Sequence, residues 1–418
     1  MNYYNLGSQH IWLPYTQMQN HLKQLEVENA LGSKIYLKNR QVLIDGIASW
    51  WSVAHGYNHP YLVKEMLNQA QHLSHIMLAG LAMESTYKLA YRLSEFCGLQ
   101  RVFFSDSGST AIEVAMKIAW QYHININQKN KTKFIAFKNS YHGDTTGAMS
   151  LADLSSGMHQ KFKNLLLENF SLDFPRDLNQ LDEFSNFLKK NNQQIAGIFI
   201  EPMVQCAGGM HMQNDKILEE IFKIAKDNKI LIIADECATG FYRTGKKFAY
   251  QFTDLMPDIL CVGKALTAGM LTLSATLTTA EIYQSFLSES LDKALMHGPT
   301  FMGNALACSV ANASLDLFEQ EDYALKVRNI EKILKIEFAK FKKFKRVIEI
   351  NVIGAIGVVR IDLNWQEILN LRQRFIELGV FIRPFANNIY LMPALTISNQ
   401  ELLLLTNKIS QVLTEISS

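Results

Sequence analysis

Five short apolar runs recur along the N-terminal part of this 418-residue chain: RVFFS (101–105), KFIAFK (133–138), IAGIFI (195–200), ILIIAD (230–235) and DILCVG (258–263). Runs so short and so continuously apolar suit strands buried on both faces, as in a parallel sheet covered by helices. Helical spacing separates them. STAIEVAMKIAWQY repeats apolar residues at Ile112, Ala115, Met116, Ala119 and Trp120, and DKILEEIFKIAKDNK (215–229) lies between two of the runs. Thr110 followed by Glu113 has the spacing of a capping box at a helix start. The alternation predicts an α/β chain with a mostly parallel central sheet. It also predicts where ligands gather, because open parallel sheets bind them at the carboxyl ends of their strands.

The flanks read differently. Strands are expected near 34–37 and 41–45, then helices over about 60–78 and 84–97. Further helical patterns cover about 303–319, 322–344 and 365–378, the last stopped by Gly379. VFIRPF and IYLMPA, either side of Asn387-Asn388, read as two strands joined by a turn. The C-terminal part is therefore expected to be a smaller α+β unit.

Composition excludes several classes. With 41 Lys+Arg against 39 Asp+Glu, the net charge is +2, which argues against a nucleic-acid-binding surface, since phosphate backbones need a clustered positive field. No apolar run approaches the ~18 residues of a membrane span. The start, MNYYNLGSQHIWLPYTQ, lacks the basic and apolar regions of a secretory signal. The five cysteines are scattered without C-x-x-C spacing, so neither a disulfide framework nor a zinc site is expected. The reading is a cytoplasmic globular protein with no metal.

The residues just beyond the strand ends carry the chemistry. After 101–105 come Ser107, Gly108 and Ser109 at a helix start, either an ordinary strand-to-helix turn or a phosphate cup. The dinucleotide glycine fingerprint and the P-loop sequence are both absent. Asp235 ends one run and Lys264 comes directly after another. They could form a structural ion pair. Alternatively, the lysine amine makes a Schiff base with an aldehyde cofactor, while the carboxylate keeps a pyridine nitrogen protonated.

IIADECATGFYRTGKKFA and PDILCVGKALTAGMLTLSATLTT resemble the class III (fold-type I) pyridoxal-phosphate aminotransferases, and SDSGSTAIEVAMK, SYHGDTTGAMS, IEPMVQCAGGM and HGPTFMGNALAC stand in family order. HIWLPYT, DGIASWWSVAHGYNHP, HGPTFMGN and IRPFANNIYLMP are closest to the branch that makes 7,8-diaminopelargonate in biotin biosynthesis. The resemblance implies pyridoxal 5′-phosphate as cofactor and a ping-pong exchange. The donor would be S-adenosylmethionine and the acceptor 7-keto-8-aminopelargonate. Lysine as donor, or another class III ω-aminotransferase activity, stays open, since Cys237, Tyr242, Ala268 and Met270 depart from the family's pattern.

Carried over by position, Lys264 is the Schiff-base lysine and proton carrier, Asp235 the partner of the pyridine nitrogen, and Gly108 and Ser109 the phosphate cup. Tyr141 packs on the cofactor ring. His142 is read as a local structural histidine. Pro299 and Thr300 reach the phosphate from a second subunit, which implies a homodimer. Arg383 clamps the substrate carboxylate, Trp50 beside Trp51 walls the chain, Tyr15 and Tyr390 supply polar handles, and Gly298 leaves room for approach. The resemblance further implies a large domain over 49–304 and a small domain built from 1–48 and 305–418.

Overall fold

The computed structural model describes residues 3–19, 21–154 and 157–417. Three strands open the chain, β1 (Val27–Leu31), β2 (Lys34–Leu37) and β3 (Val42–Asp45). The central sheet takes β4 (Arg101–Ser105), β5 (Lys133–Phe137), β6 (Phe170–Leu172) and β7 (Ile195–Ile200). A two-stranded ribbon comes next, β8 (Val204–Gln205) with β9 (His211–Met212). β10 (Leu231–Asp235), β11 (Ile259–Val262) and β12 (Ser274–Thr278) complete the seven-stranded sheet, ordered β4-β12-β11-β10-β7-β5-β6. Six of its strands run parallel and β12 runs against both neighbours.

All five expected apolar runs are strands of this sheet. β7, β11 and β12 are buried along their whole length, as two-sided covering by helices requires. The helix Gly108–Asn125 buries Ala111, Ile112, Val114, Ala115, Met116, Ile118 and Ala119 against it. Burial of an Ile or Val side chain contributes about 1.5–3 kcal/mol. Trp120 turns outward instead, since the buried face runs through 111–112, 115 and 118–119. The helix Leu178–Asn191 and strands β6 and β12 are additions to the sequence reading.

The C-terminal part supplies helices Ala305–Gln320, Tyr323–Ala339 and Trp365–Glu377, strands β13 (Val347–Ile353), β14 (Ile356–Ile361), β15 (Val380–Phe381) and β16 (Asn388–Leu391), and the last helix, Asn399–Ser417. Here two expectations need correction. The helix expected over 60–78 ends at His72, with Leu73 extended. VFIRPF and IYLMPA do not form one hairpin: β15 pairs in parallel with β3, whereas β16 joins β13 and β14 in a separate three-stranded sheet. The turn is real, as Phe385 and Asn388 exchange backbone hydrogen bonds of 3.1 and 2.8 Å. The chain leaves it toward a different sheet. N- and C-terminal segments thus share the β1-β2-β3-β15 sheet.

Candidate active site

Segments leaving the carboxyl ends of β4, β5, β7, β10 and β11 meet around one cleft, whose lining includes Trp51, Gly108, Ser109, Tyr141, His142, Gly143, Glu201, Asp235, Cys237 and Lys264. Beyond β4, Ser107 caps the helix. Its Oγ accepts the Thr110 N–H while Thr110 Oγ1 accepts the Ser107 N–H. The capping box is Ser107 with Thr110, not Thr110 with Glu113, because the Thr110 hydroxyl takes the part usually played by Glu at the third helical position. The Glu113 carboxylate instead accepts the Gly147 N–H at 2.7 Å, securing the neighbouring loop. Ser274 of β12 donates to the Ser107 carbonyl at 2.6 Å and locks the turn from the other side.

The loop after β5 lies directly on this helix start. A Cβ on Gly143, whose φ is +128°, would fall 2.0 Å from Ser109 Oγ, so only glycine allows the approach. The Asp144 N–H donates to the same hydroxyl at 3.2 Å.

Asp235 ends β10 and is buried. His142 Nδ1 meets its Oδ2 at 2.8 Å, and the Cys237 N–H donates to Oδ1 at 3.0 Å. Burial pushes this carboxyl up, but the hydrogen bond and charge of His142, with the charge of Lys264, outweigh it and hold Asp235 below the ordinary range. Burial alone would discharge His142; Asp235 and Glu201 together raise its pKa. His142 is therefore structural in a specific sense, as the hydrogen-bond partner that holds the Asp235 carboxyl below its ordinary range. Glu201, just past β7, accepts the N–H groups of Tyr141 and Cys206 at 2.9 and 3.1 Å. Burial raises its pKa to about 7, with His142 opposing and Asp235 assisting.

Lys264 opens a short 3-10 turn after β11 with φ +41°, a strained value of the kind that clusters at functional sites. Its Nζ stands 5.4 Å from the centroid of the Trp51 ring. Trp51 itself is placed by unusual backbone. Ala48, Ser49, Trp50 and Trp51 all have positive φ, from 46° to 74°. Left-handed conformation costs roughly 1–2 kcal/mol per residue. Buried Asp45 offsets part of this: Oδ1 accepts the N–H groups of Ile47 and Ala48, and Oδ2 accepts that of Ser49 and the Tyr57 hydroxyl.

At the mouth, Tyr15 and Tyr141 share a hydroxyl contact of 3.0 Å, and Tyr15 also donates to Asp144. Trp50 packs edge-on against Tyr15 at 6.2 Å, with the Arg383 guanidinium 5.9 Å from its ring. Tyr15, Trp50, Tyr141 and Arg383 are thus brought together. Tyr390 is not at the opening: it is 1% exposed, edge-on to Trp51 at 6.4 Å. Gly298, Pro299 and Thr300 do not line the cleft of their own chain; the Thr300 carbonyl accepts from His75.

A model of the class III aminotransferases matches residues 15–413. The chain belongs to the class III aminotransferases. It is 42% identical to the adenosylmethionine-8-amino-7-oxononanoate aminotransferase of Buchnera aphidicola subsp. Schizaphis graminum, over 97% of this chain and 95% of that one. The crystal structure of the enzyme of that name from Methanocaldococcus jannaschii superposes with a TM-score of 0.93 at 32% identity, over 99% and 98% of the two chains. The omega transaminase of Pseudomonas jessenii, solved in complex with PMP, gives 0.92 at 25% identity over 99% and 98%. Class III aminotransferases are transaminases that use pyridoxal 5′-phosphate.

The residues present fit that cofactor. Gly108 has no side chain to fill the cradle, where a Cβ would sit 3.2 Å from Cys237 Sγ. No acidic residue occupies the first turn of the helix behind it, and with Ser107 capping the Thr110 N–H, the Gly108 and Ser109 N–H groups are the ones that face a phosphate. A buried, ionised carboxylate suits a protonated ring nitrogen, and the Lys264 amine is the nucleophile for an aldehyde. Sequence reasoning assigned no role to Glu201, Asp144 or His159. Glu201 was within reach of the strand-end rule that finds Asp235 and Lys264; the others depend on long-range packing.

Proposed function

We propose that this class III aminotransferase transfers the amino group of S-adenosylmethionine to 7-keto-8-aminopelargonate, giving 7,8-diaminopelargonate for biotin biosynthesis, as a cytoplasmic homodimer. The observation that carries the reading is the Lys264 amine standing over Trp51 in a cleft whose floor is the His142–Asp235 pair. The printed names of the full-length relatives supply the substrates. In this reading residues 49–304 form the cofactor domain, with 1–48 and 305–418 forming the smaller one; the sheet shared by β3 and β15 supports the second grouping.

When bound, pyridoxal phosphate supplies a carbonyl that exchanges for an amine and a ring that accepts the electron pair of a deprotonated carbon. Gly108 and Ser109 would hold the phosphate at the helix start. Asp235, kept charged by His142, would hold the ring-nitrogen proton. Tyr141, which lines the cleft, would pack along the cofactor ring. Lys264 Nζ would take the proton from the amine-bearing carbon of the substrate and deliver it across the nitrogen to the aldehyde carbon of the cofactor, and would run the reverse transfer in the other half-reaction, with water hydrolysing the C=N bond to release the ketone. Tyr15 and Trp50 line the approach, and Arg383 takes the distal carboxylate of the keto acid in a two-pronged bond. Gly298, Pro299, Thr300 and Tyr390 complete the proposed site, the first three from the neighbouring subunit.

The test is a half-reaction screen. Purified protein should be yellow, and S-adenosylmethionine should bleach the visible band, with lysine and simple ω-amines bleaching it more slowly. Bleaching by lysine alone would reassign the donor; bleaching only by simple amines would move the chain to another activity of the class. Lys264→Ala should abolish borohydride-dependent labelling, and persistent labelling would overturn its role.

A further inference from the structure

His159 lies outside every role assigned so far, yet it is buried against the mouth of the cleft. Its Nε2 meets Asp144 Oδ1 at 3.0 Å, and its ring stacks on that of Tyr141, with centroids 5.7 Å apart and planes 23° from parallel. Its side chain is 5% exposed, while that of Asp144 is 53% exposed. One imidazole therefore braces two groups, an aromatic ring on the cofactor side and a carboxylate on the solvent side.

That carboxylate is held at both oxygens, Oδ1 by His159 and Oδ2 by the Tyr15 hydroxyl, and its backbone is tied to Ser109. Among the described residues no lysine or arginine forms an ion pair with it. A half-exposed, oriented anion at the entrance, with no neutralising neighbour beyond an imidazole, is suited to a substrate bearing positive charge. A carboxylate free to rotate would lose much of that preference, since binding would then have to order it.

We propose that His159 is a positioning residue that orients Asp144 and the Tyr141 ring, and so gives the site its preference for cationic amine substrates. The inference deepens the aminotransferase reading and rests on it. Chemical pairs that differ in one charge separate it from general damage: S-adenosylmethionine against S-adenosylhomocysteine, and lysine against norleucine.

The experiment measures half-reaction kcat/KM for these four compounds in wild type, His159→Ala, His159→Asn and Asp144→Asn, together with the circular dichroism of the bound cofactor. Loss of an oriented charge contact is expected to lower the charged-over-neutral ratio about tenfold in His159→Ala, with the neutral member within about twofold of wild type. His159→Asn, which keeps an N–H donor, should recover part of the ratio, and combining His159→Ala with Asp144→Asn should add little to either. Looser packing of Tyr141 should change the cofactor's dichroism even where turnover is slight. An equal loss for charged and neutral members, or additive double-variant effects, would overturn the proposal. Should His159→Ala fail to fold, His159→Asn decides on the same ratio. A wild type that bleaches with none of the four would refute the proposed aminotransferase function, while an unaltered dichroism would refute His159's hold on Tyr141.

Discussion

Two adjacent acids, Asp235 and Glu236, show how environment divides identical chemistry. Asp235 has His142 and Lys264 beside it, which hold its pKa below the ordinary range. Glu236 has no such partner. Its carboxyl accepts the Tyr250 N–H at 2.6 Å and the Thr239 hydroxyl at 2.7 Å, but burial raises its pKa to about 7 against 4.5 when unfolded. The folded state therefore holds the Glu236 proton more tightly. Its contribution to stability is complete below the unfolded value and is lost as pH rises through about 7. Glu236→Gln, which cannot ionise, should gain stability relative to wild type between pH 5 and pH 8. Urea denaturation at both pH values checks this, and a constant difference would contradict it. Asp235 was legible because it directly ends an apolar strand. The opposite shifts of the two acids were not, since His142 lies 93 residues from Asp235 in the chain.

Among the elements, the turn over residues 48–51 and strand β12 mark the limits of pattern reading. ASWW carries no glycine to announce a left-handed turn; Asp45, itself held by the Tyr57 hydroxyl, imposes it by accepting the N–H groups of Ile47, Ala48 and Ser49. Asp45→Ala should cost about 1–3 kcal/mol from unsatisfied buried groups. It should also lower kcat/KM by about 10- to 100-fold as Trp51 shifts from Lys264. Asp45→Asn, retaining an acceptor, should do less, and thermal melts beside kinetics check both. β12 was missed for a different reason. SATLT is fully buried but only two of its residues are apolar; Ser274 and Thr276 enter the core by donating to the Ser107 and Ala111 carbonyls. A buried strand made of satisfied hydroxyls gives no hydrophobic signal.

For the whole molecule, the unused segment 291–301 is informative. It exposes Leu291, Met296 and Phe301 and carries Gly298, Pro299 and Thr300 away from its own cleft. If a second subunit receives it, sedimentation should give twice the chain mass of 47.6 kDa, and activity per chain should fall on dilution into monomer. A fully active monomer would refute the composite site. The low charged fraction, 19%, agrees with a chain that reserves surface for an interface. By itself the sequence determined five of the seven strands of the central sheet and the residues at their ends, Gly108, Asp235 and Lys264, because a side chain covalently joined to a strand end goes where the strand goes. Only the tertiary structure decided that β15 leaves IYLMPA to pair with β3, that His142 charges Asp235, and that His159 reaches Asp144. Those partners are chosen by packing between segments that sequence spacing does not relate.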